Sequence, residues 1–168
     1  MFRHVIHHEL VHGVTNDLFY GGALQNIISN SSAVNLPLWF SEGLAEYLAL
    51  GWDTNTDQFI RDAAINEYLP DIKYLDGYFA YRGGQAVFYY IAKKYGKEKV
   101  SEIVMNVKGK GGVDQGLKAS IGLTVDELSE RWKKDIKRVF WPDITERKDP
   151  DEFAKRMTDP KKDNSSYN

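Results

Sequence analysis

Near the start of the sequence, His8 and His12 stand four residues apart, with Glu9 directly after the first of them. That spacing constrains the chain more than any other feature. On an α-helix each residue advances about 100° and 1.5 Å, so residues four apart share a face, one turn apart. Two imidazoles so placed can reach one metal ion, while Glu9 lies beside them, close to a metal-bound water. The pattern predicts a first helix over 2–14, with Val5, Ile6, Leu10 and Val11 alongside the histidines. A helix of this kind so near residue 1 leaves no room for a leader or a preceding sheet. We therefore expect a piece of a longer protein, with no signal peptide in it.

The rest of the chain reads as helices punctuated by turn formers. Gly21-Gly22, Asn26, Asn30-Ser31-Ser32 and Asn35 mark 15–36 as irregular, with a short helix possible over 23–28. Pro37 suits the beginning of a second helix through Trp39–Leu48, because its missing N–H costs nothing there. A third helix is expected over 54–68, with Thr54 and Asp57 at capping-box-like spacing. A loop over 69–79 precedes a fourth helix over 80–95 that Gly96 stops, and a fifth covers about 97–107. Gly109 to Gly112 reads as a flexible link before a short helix over 113–121. Thr124-x-x-Glu127 caps a last helix in which Val125, Leu128, Trp132, Ile136 and Val139 line up. Beyond Trp141-Pro142 charges and a polar end dominate. The expected division is a helical domain over 1–142 and a polar linker or tail over 143–168, with no strand and no repeat; the fold class is mainly α.

Composition excludes several classes. The chain is 42% hydrophobic and 27% charged with a net charge of −2, and no basic stripe points to nucleic acid. No apolar run approaches the roughly 18 residues that span a bilayer. There are no cysteines, which removes disulfides and thiolate metal ligands together.

Catalytic zinc commonly takes three protein ligands and leaves one position for water. The long metzincin pattern would need glycine at position 15 and histidine at 18; those positions hold Thr15 and Leu18. A glutamate on a following helix is the remaining route. Glu42 and Glu46, again four apart, supply two in aromatic and aliphatic surroundings. One can bind the metal while the other accepts a hydrogen bond from a ligand imidazole.

His8-Glu9-x-x-His12 followed by Trp39-x-x-Glu42-Gly43-x-Ala45-Glu46-Tyr47 resembles the gluzincin metallopeptidases, most closely their peptidase MA-like branch, distant relatives of thermolysin and the zinc aminopeptidases. The resemblance covers about 5–140, through Tyr81-Arg82-Gly83-Gly84, Lys94-Tyr95-Gly96 and Thr124-x-x-Glu127. It implies a helical zinc-site subdomain whose upstream β-sheet lobe is missing from this chain, one Zn²⁺ ion, and a peptide or protein substrate. It also implies Glu42 as third ligand, Glu46 as the acidic partner of a ligand histidine, and Glu9 as general base. The interval from His12 to Glu42 is longer than in the aminopeptidases, so an inserted loop must fold away. The tail Asp151–Thr158 resembles the lead-in to a Tol-associated β-propeller, which implies a periplasmic or extracellular location and a possible C-terminal propeller.

The chemistry so implied is peptide-bond hydrolysis. Two neutral imidazoles and one carboxylate leave zinc a net positive charge, which lowers the pKa of its water toward about 7. Glu9 then accepts that water's proton and delivers it to the leaving amine. A tyrosine steadies the oxyanion in several relatives; Tyr81 is the candidate here and Tyr78 the second. His4, one turn before His8, is expected to support or pack rather than to ligate, and His7 to face elsewhere. Gly83-Gly84 lacks the lysine-serine of a phosphate loop and reads as a close helix contact. The rival from another class is an inactive scaffold that keeps the zinc-site helices for stability or interaction. Glu9 separates the two, since such a scaffold has no use for a base.

Overall fold

The computed structural model describes residues 2–21 and 34–145. These form seven α-helices and a short 3-10 turn, with no strand among the described residues. The helices are α1 (Phe2–Tyr20), α2 (Leu38–Leu50), α3 (Thr54–Ile65), α4 (Gly77–Tyr95), α5 (Glu98–Lys110), α6 (Val113–Ile121) and α7 (Val125–Thr145); the turn is Ile72–Tyr74. The mainly α fold class expected from the sequence is what the described residues adopt. The expected helix over 23–28 and the tail residues 151–158 lie outside the described residues.

α2 and α4 form the central pair, and the others pack around it. α1 lies on α2, α3 bridges α4 and α7, and α5 and α6 pair beyond α4. Trp39, Phe40 and Leu44 of α2 meet Val87, Phe88 and Ile91 of α4 in one core with Ile60, Ile103, Leu117, Leu128 and Trp132. Phe40 and Phe88 meet edge to face with centroids 5.2 Å apart, an arrangement favoured by the ring quadrupoles.

Two glycines set how closely the central pair approaches. A Cβ on Gly43 would lie 2.4 Å from Gly84 Cα, and one on Gly84 would lie 2.3 Å from the Trp39 carbonyl oxygen. No side chain fits at either place, so the helices cross backbone to backbone. Gly84 is thus the close helix contact that the sequence suggested.

Boundaries shifted where tertiary contacts overrode local signals. α1 continues six residues past the expected end at 14, because Leu18 and Phe19 reach the core and the Thr15 hydroxyl donates back to the Val11 carbonyl at 2.8 Å. Gly21, at φ +74°, ends it. The third helix stops at Ile65 and is capped by Asp53, not by a Thr54–Asp57 box: one carboxylate oxygen accepts from the N–H groups of Asn55 and Thr56. α4 starts three residues early, at Gly77. Gly109 remains helical, and Gly111, in the left-handed region, makes the stop. The Thr124–Glu127 box forms as expected, with Thr124 N–H donating to the Glu127 carboxylate at 2.8 Å and Glu127 N–H to the Thr124 hydroxyl at 3.2 Å. α7 carries Pro142 within it and runs to Thr145.

α1 is unusual among these helices. Only His8 on it is buried, while Phe2, Ile6, Leu10 and Val14 form an exposed apolar ridge on the face opposite the histidines. Among the described residues no helix is long and apolar enough to cross a membrane.

Candidate metal centre

The crossing of α1 over α2 brings the residues spaced four apart on each helix into register. His8 and His12 face Glu42, and the three nearest donor atoms form a nearly equilateral triangle. His8 Nε2 lies 3.0 Å from His12 Nε2 and 3.2 Å from Glu42 Oε2, and His12 Nε2 lies 3.1 Å from the same oxygen. Tetrahedral zinc with ligand bonds of 2.0–2.1 Å needs donors about 3.3 Å apart, so this triangle fits the ion closely. The donor chemistry agrees, since two imidazole nitrogens and one carboxylate oxygen, with no fourth ligand grouped with them among the described residues, match an open zinc site. His8 is buried, and His12 and Glu42 are partly so. Two imidazole nitrogens aimed at each other this closely need something cationic between them, or one must spend its N–H on the other.

Behind His8 sits Glu46, also on α2 and 4% exposed. His8 Nδ1 is 3.0 Å from Glu46 Oε1, and His4 Nε2 is 3.2 Å from the same oxygen. Both are close contacts rather than well-aligned hydrogen bonds, since neither nitrogen aims its N–H straight at the oxygen. A carboxylate against Nδ1 favours the tautomer with the proton there, which frees the Nε2 lone pair for a cation. His4, His8 and Glu46 thus form a second close group of possible ligand atoms beside the His8–His12–Glu42 triangle. His7 is exposed, away from the buried face of α1.

Tyr81, on α4, lies with its ring stacked on His8 at a centroid distance of 6.1 Å and an interplanar angle of 17°. Burial pushes its phenol above the ordinary value, and the charge of Glu42, a hydrogen bond to that carboxylate, and the charges of Glu46 and Glu9 push the same way. It is thus a neutral donor at the edge of the triangle. Tyr78 does not join it: it is 56% exposed, and its hydroxyl accepts from Arg82 Nε at 3.0 Å. Glu9, exposed on α1 next to His8, is close enough to act on the Tyr81 phenol electrostatically.

The sequence reading did not single out Arg82, Asp53, Thr56 or Gln85. Arg82 Nη1 donates to Glu46 Oε2 at 2.9 Å, and the three others surround that guanidinium. A signal for two of them was present: Tyr78, Arg82 and Gln85 share one face of α4, a polar line on a helix otherwise given to the core.

A family model described as the Peptidase MA superfamily matches residues 2–138. No curated protein and no solved structure matches the chain.

Proposed function

The chain belongs to the Peptidase MA superfamily, and on that footing we propose that it is a zinc-dependent peptidase of the gluzincin type, with His8, His12 and Glu42 as zinc ligands, Glu9 as general base and a peptide or protein as substrate. The observation that carries the reading is the triangle of two imidazole nitrogens and one carboxylate oxygen, 3.0–3.2 Å on a side, with Tyr81 at its edge.

Zinc held there supplies a Lewis acid that lowers the pKa of water toward about 7 and polarises a carbonyl. The chain's own groups do the rest. His8 and His12 would hold the ion through Nε2, and Glu46 orients His8 from behind. Glu9 takes a proton from the attacking water and returns it to the leaving nitrogen, so the amine departs neutral. Tyr81 donates its phenolic O–H to the oxygen on which negative charge develops. A tyrosine phenol is protonated through the neutral range, so the donor is present there.

Glu9→Gln separates binding from chemistry. Expected are zinc near one per chain by elemental analysis and a fall of about 100-fold or more in cleavage of a fluorogenic peptide library. Cleavage at the unmodified rate would remove Glu9 as the base. Glu42→Ala should instead lose the metal; tight zinc in that variant would move the third ligand elsewhere, with Glu46 the first suspect.

A further inference from the structure

Glu46 divides its two oxygens between two tasks. Oε1 faces the imidazoles, 3.0 Å from His8 Nδ1 and 3.2 Å from His4 Nε2, and Oε2 accepts from Arg82 Nη1 at 2.9 Å. A carboxylate with a side chain 6% exposed is costly to bury without a partner, and the guanidinium, 13% exposed, is that partner. The contact uses one nitrogen and one oxygen. A two-pronged pairing would draw both carboxylate oxygens toward Arg82 and away from His8.

The guanidinium is itself held from several sides. Nε donates to the Tyr78 hydroxyl at 3.0 Å, and Nη1 lies 3.2 Å from Gln85 Oε1, 3.3 Å from Thr56 Oγ1 and 3.5 Å from Asp53 Oδ2. Gln85 and Thr56 are fully buried, and Gln85 Nε2 donates to the Gly51 carbonyl and to Asp53 Oδ2, both at 2.9 Å. Asp53 in turn caps α3. The arrangement ties the start of α3, the end of α2 and the middle of α4 to one nitrogen of Arg82.

We propose that Arg82 is a positioning residue for the metal centre: anchored in the Asp53–Thr56–Gln85 nest, it holds the Glu46 carboxylate so that Oε1 faces His8 Nδ1 and His8 Nε2 faces the metal. The inference rests on the zinc reading above and adds to it a residue three contacts removed from the metal. Lysine would keep the charge but not the planar fork that reaches Tyr78 and Glu46 together.

The test is zinc affinity of the whole chain by competition with a chromophoric chelator. It is paired with the visible spectrum of the cobalt-substituted protein, for the unmodified chain, Arg82→Met, Glu46→Gln and the double variant. Expected for each single variant is zinc binding weaker by about 10- to 100-fold, with a shifted cobalt spectrum. The double variant should be no weaker than the worse single, because both act through one contact. Arg82→Lys should recover part of the loss. Affinity within about twofold of the unmodified chain in folded Arg82→Met, or losses that multiply in the double variant, would overturn the proposal. Should Arg82→Met not fold, the same cycle built on Arg82→Gln decides by the same criterion. An unmodified chain that binds no zinc sinks the zinc reading and this inference with it. Equal tight binding by unmodified and Arg82→Met protein sinks this inference alone.

Discussion

Tyr81 and Tyr78 are three residues apart on the same helix, yet only one reaches the candidate site. Tyr78 spends its hydroxyl on Arg82, whereas Tyr81 stacks on His8 and directs its phenol at Glu42. Tyr81→Phe removes one O–H and little else. Cleavage should therefore fall on the order of 100-fold, with zinc content and melting temperature unchanged; peptide turnover beside elemental analysis checks it. The chain has ten tyrosines, and nothing in their spacing chooses between these two. By contrast His8, His12, Glu42 and Glu46 were legible as pairs, because a four-residue interval on a helix fixes which side chains share a face. Spacing alone did not say which glutamate meets the histidines, at 3.1–3.2 Å, and which stands behind them; only the family resemblance divided the two. That depends on the crossing of α1 and α2, a property of two surfaces and not of either helix alone.

At the level of elements, the start of α3 shows how a cap can serve a distant site. Burial alone would raise the Asp53 carboxyl, but hydrogen bonds from Gln85, from the Thr56 hydroxyl and from the N–H groups of Thr56 and Asn55 outweigh it and hold the pKa below the ordinary range. A carboxyl with a folded pKa below its unfolded value stabilises the fold fully above about pH 4, and that contribution fades as pH falls through the folded value. Asp53→Ala should cost about 1 kcal/mol at neutral pH. The gap from the unmodified chain should narrow below about pH 4, as followed by urea unfolding across an acid series. Capping was read from sequence one residue too late here and correctly at Thr124–Glu127. The difference is physical. The reciprocal box is complete within four residues, whereas Asp53 also answers to Gln85, 32 positions away. Helix lengths failed for a like reason: α1 runs on to Tyr20 because its last turn finds the core.

Across the whole molecule, α1 is the least embedded helix. It packs on α2, buries only His8, and leaves Phe2, Ile6, Leu10 and Val14 in solvent. A metal shared by His8 and His12 on one side and Glu42 on the other would join this helix to the α2–α4 core. Binding to the folded state alone stabilises it by roughly 4 kcal/mol at a thousandfold excess over Kd. Hydrogen exchange should then show the amides of α1, which need only local opening in the free protein, slowed by zinc and released by a chelator. Amides of α1 that exchange equally fast with and without bound zinc would mean that the ion does not act as this local clasp.

The contact of Gly43 with Gly84 has a mechanical consequence for all of this. Where two helices touch backbone to backbone, that point is the pivot about which they rock, and displacement grows with distance from it. Glu42 is the residue next to the pivot, roughly 1.5 Å along the axis, whereas Leu50 at the far end is roughly 10 Å away. The same rocking therefore swings the end of α2 several times further than the backbone that carries Glu42. Tyr81, three residues from Gly84, lies roughly 4.5 Å along the axis from the contact. Any rocking about the Gly43–Gly84 contact would therefore move the backbone at Glu42 less than the ends of α2.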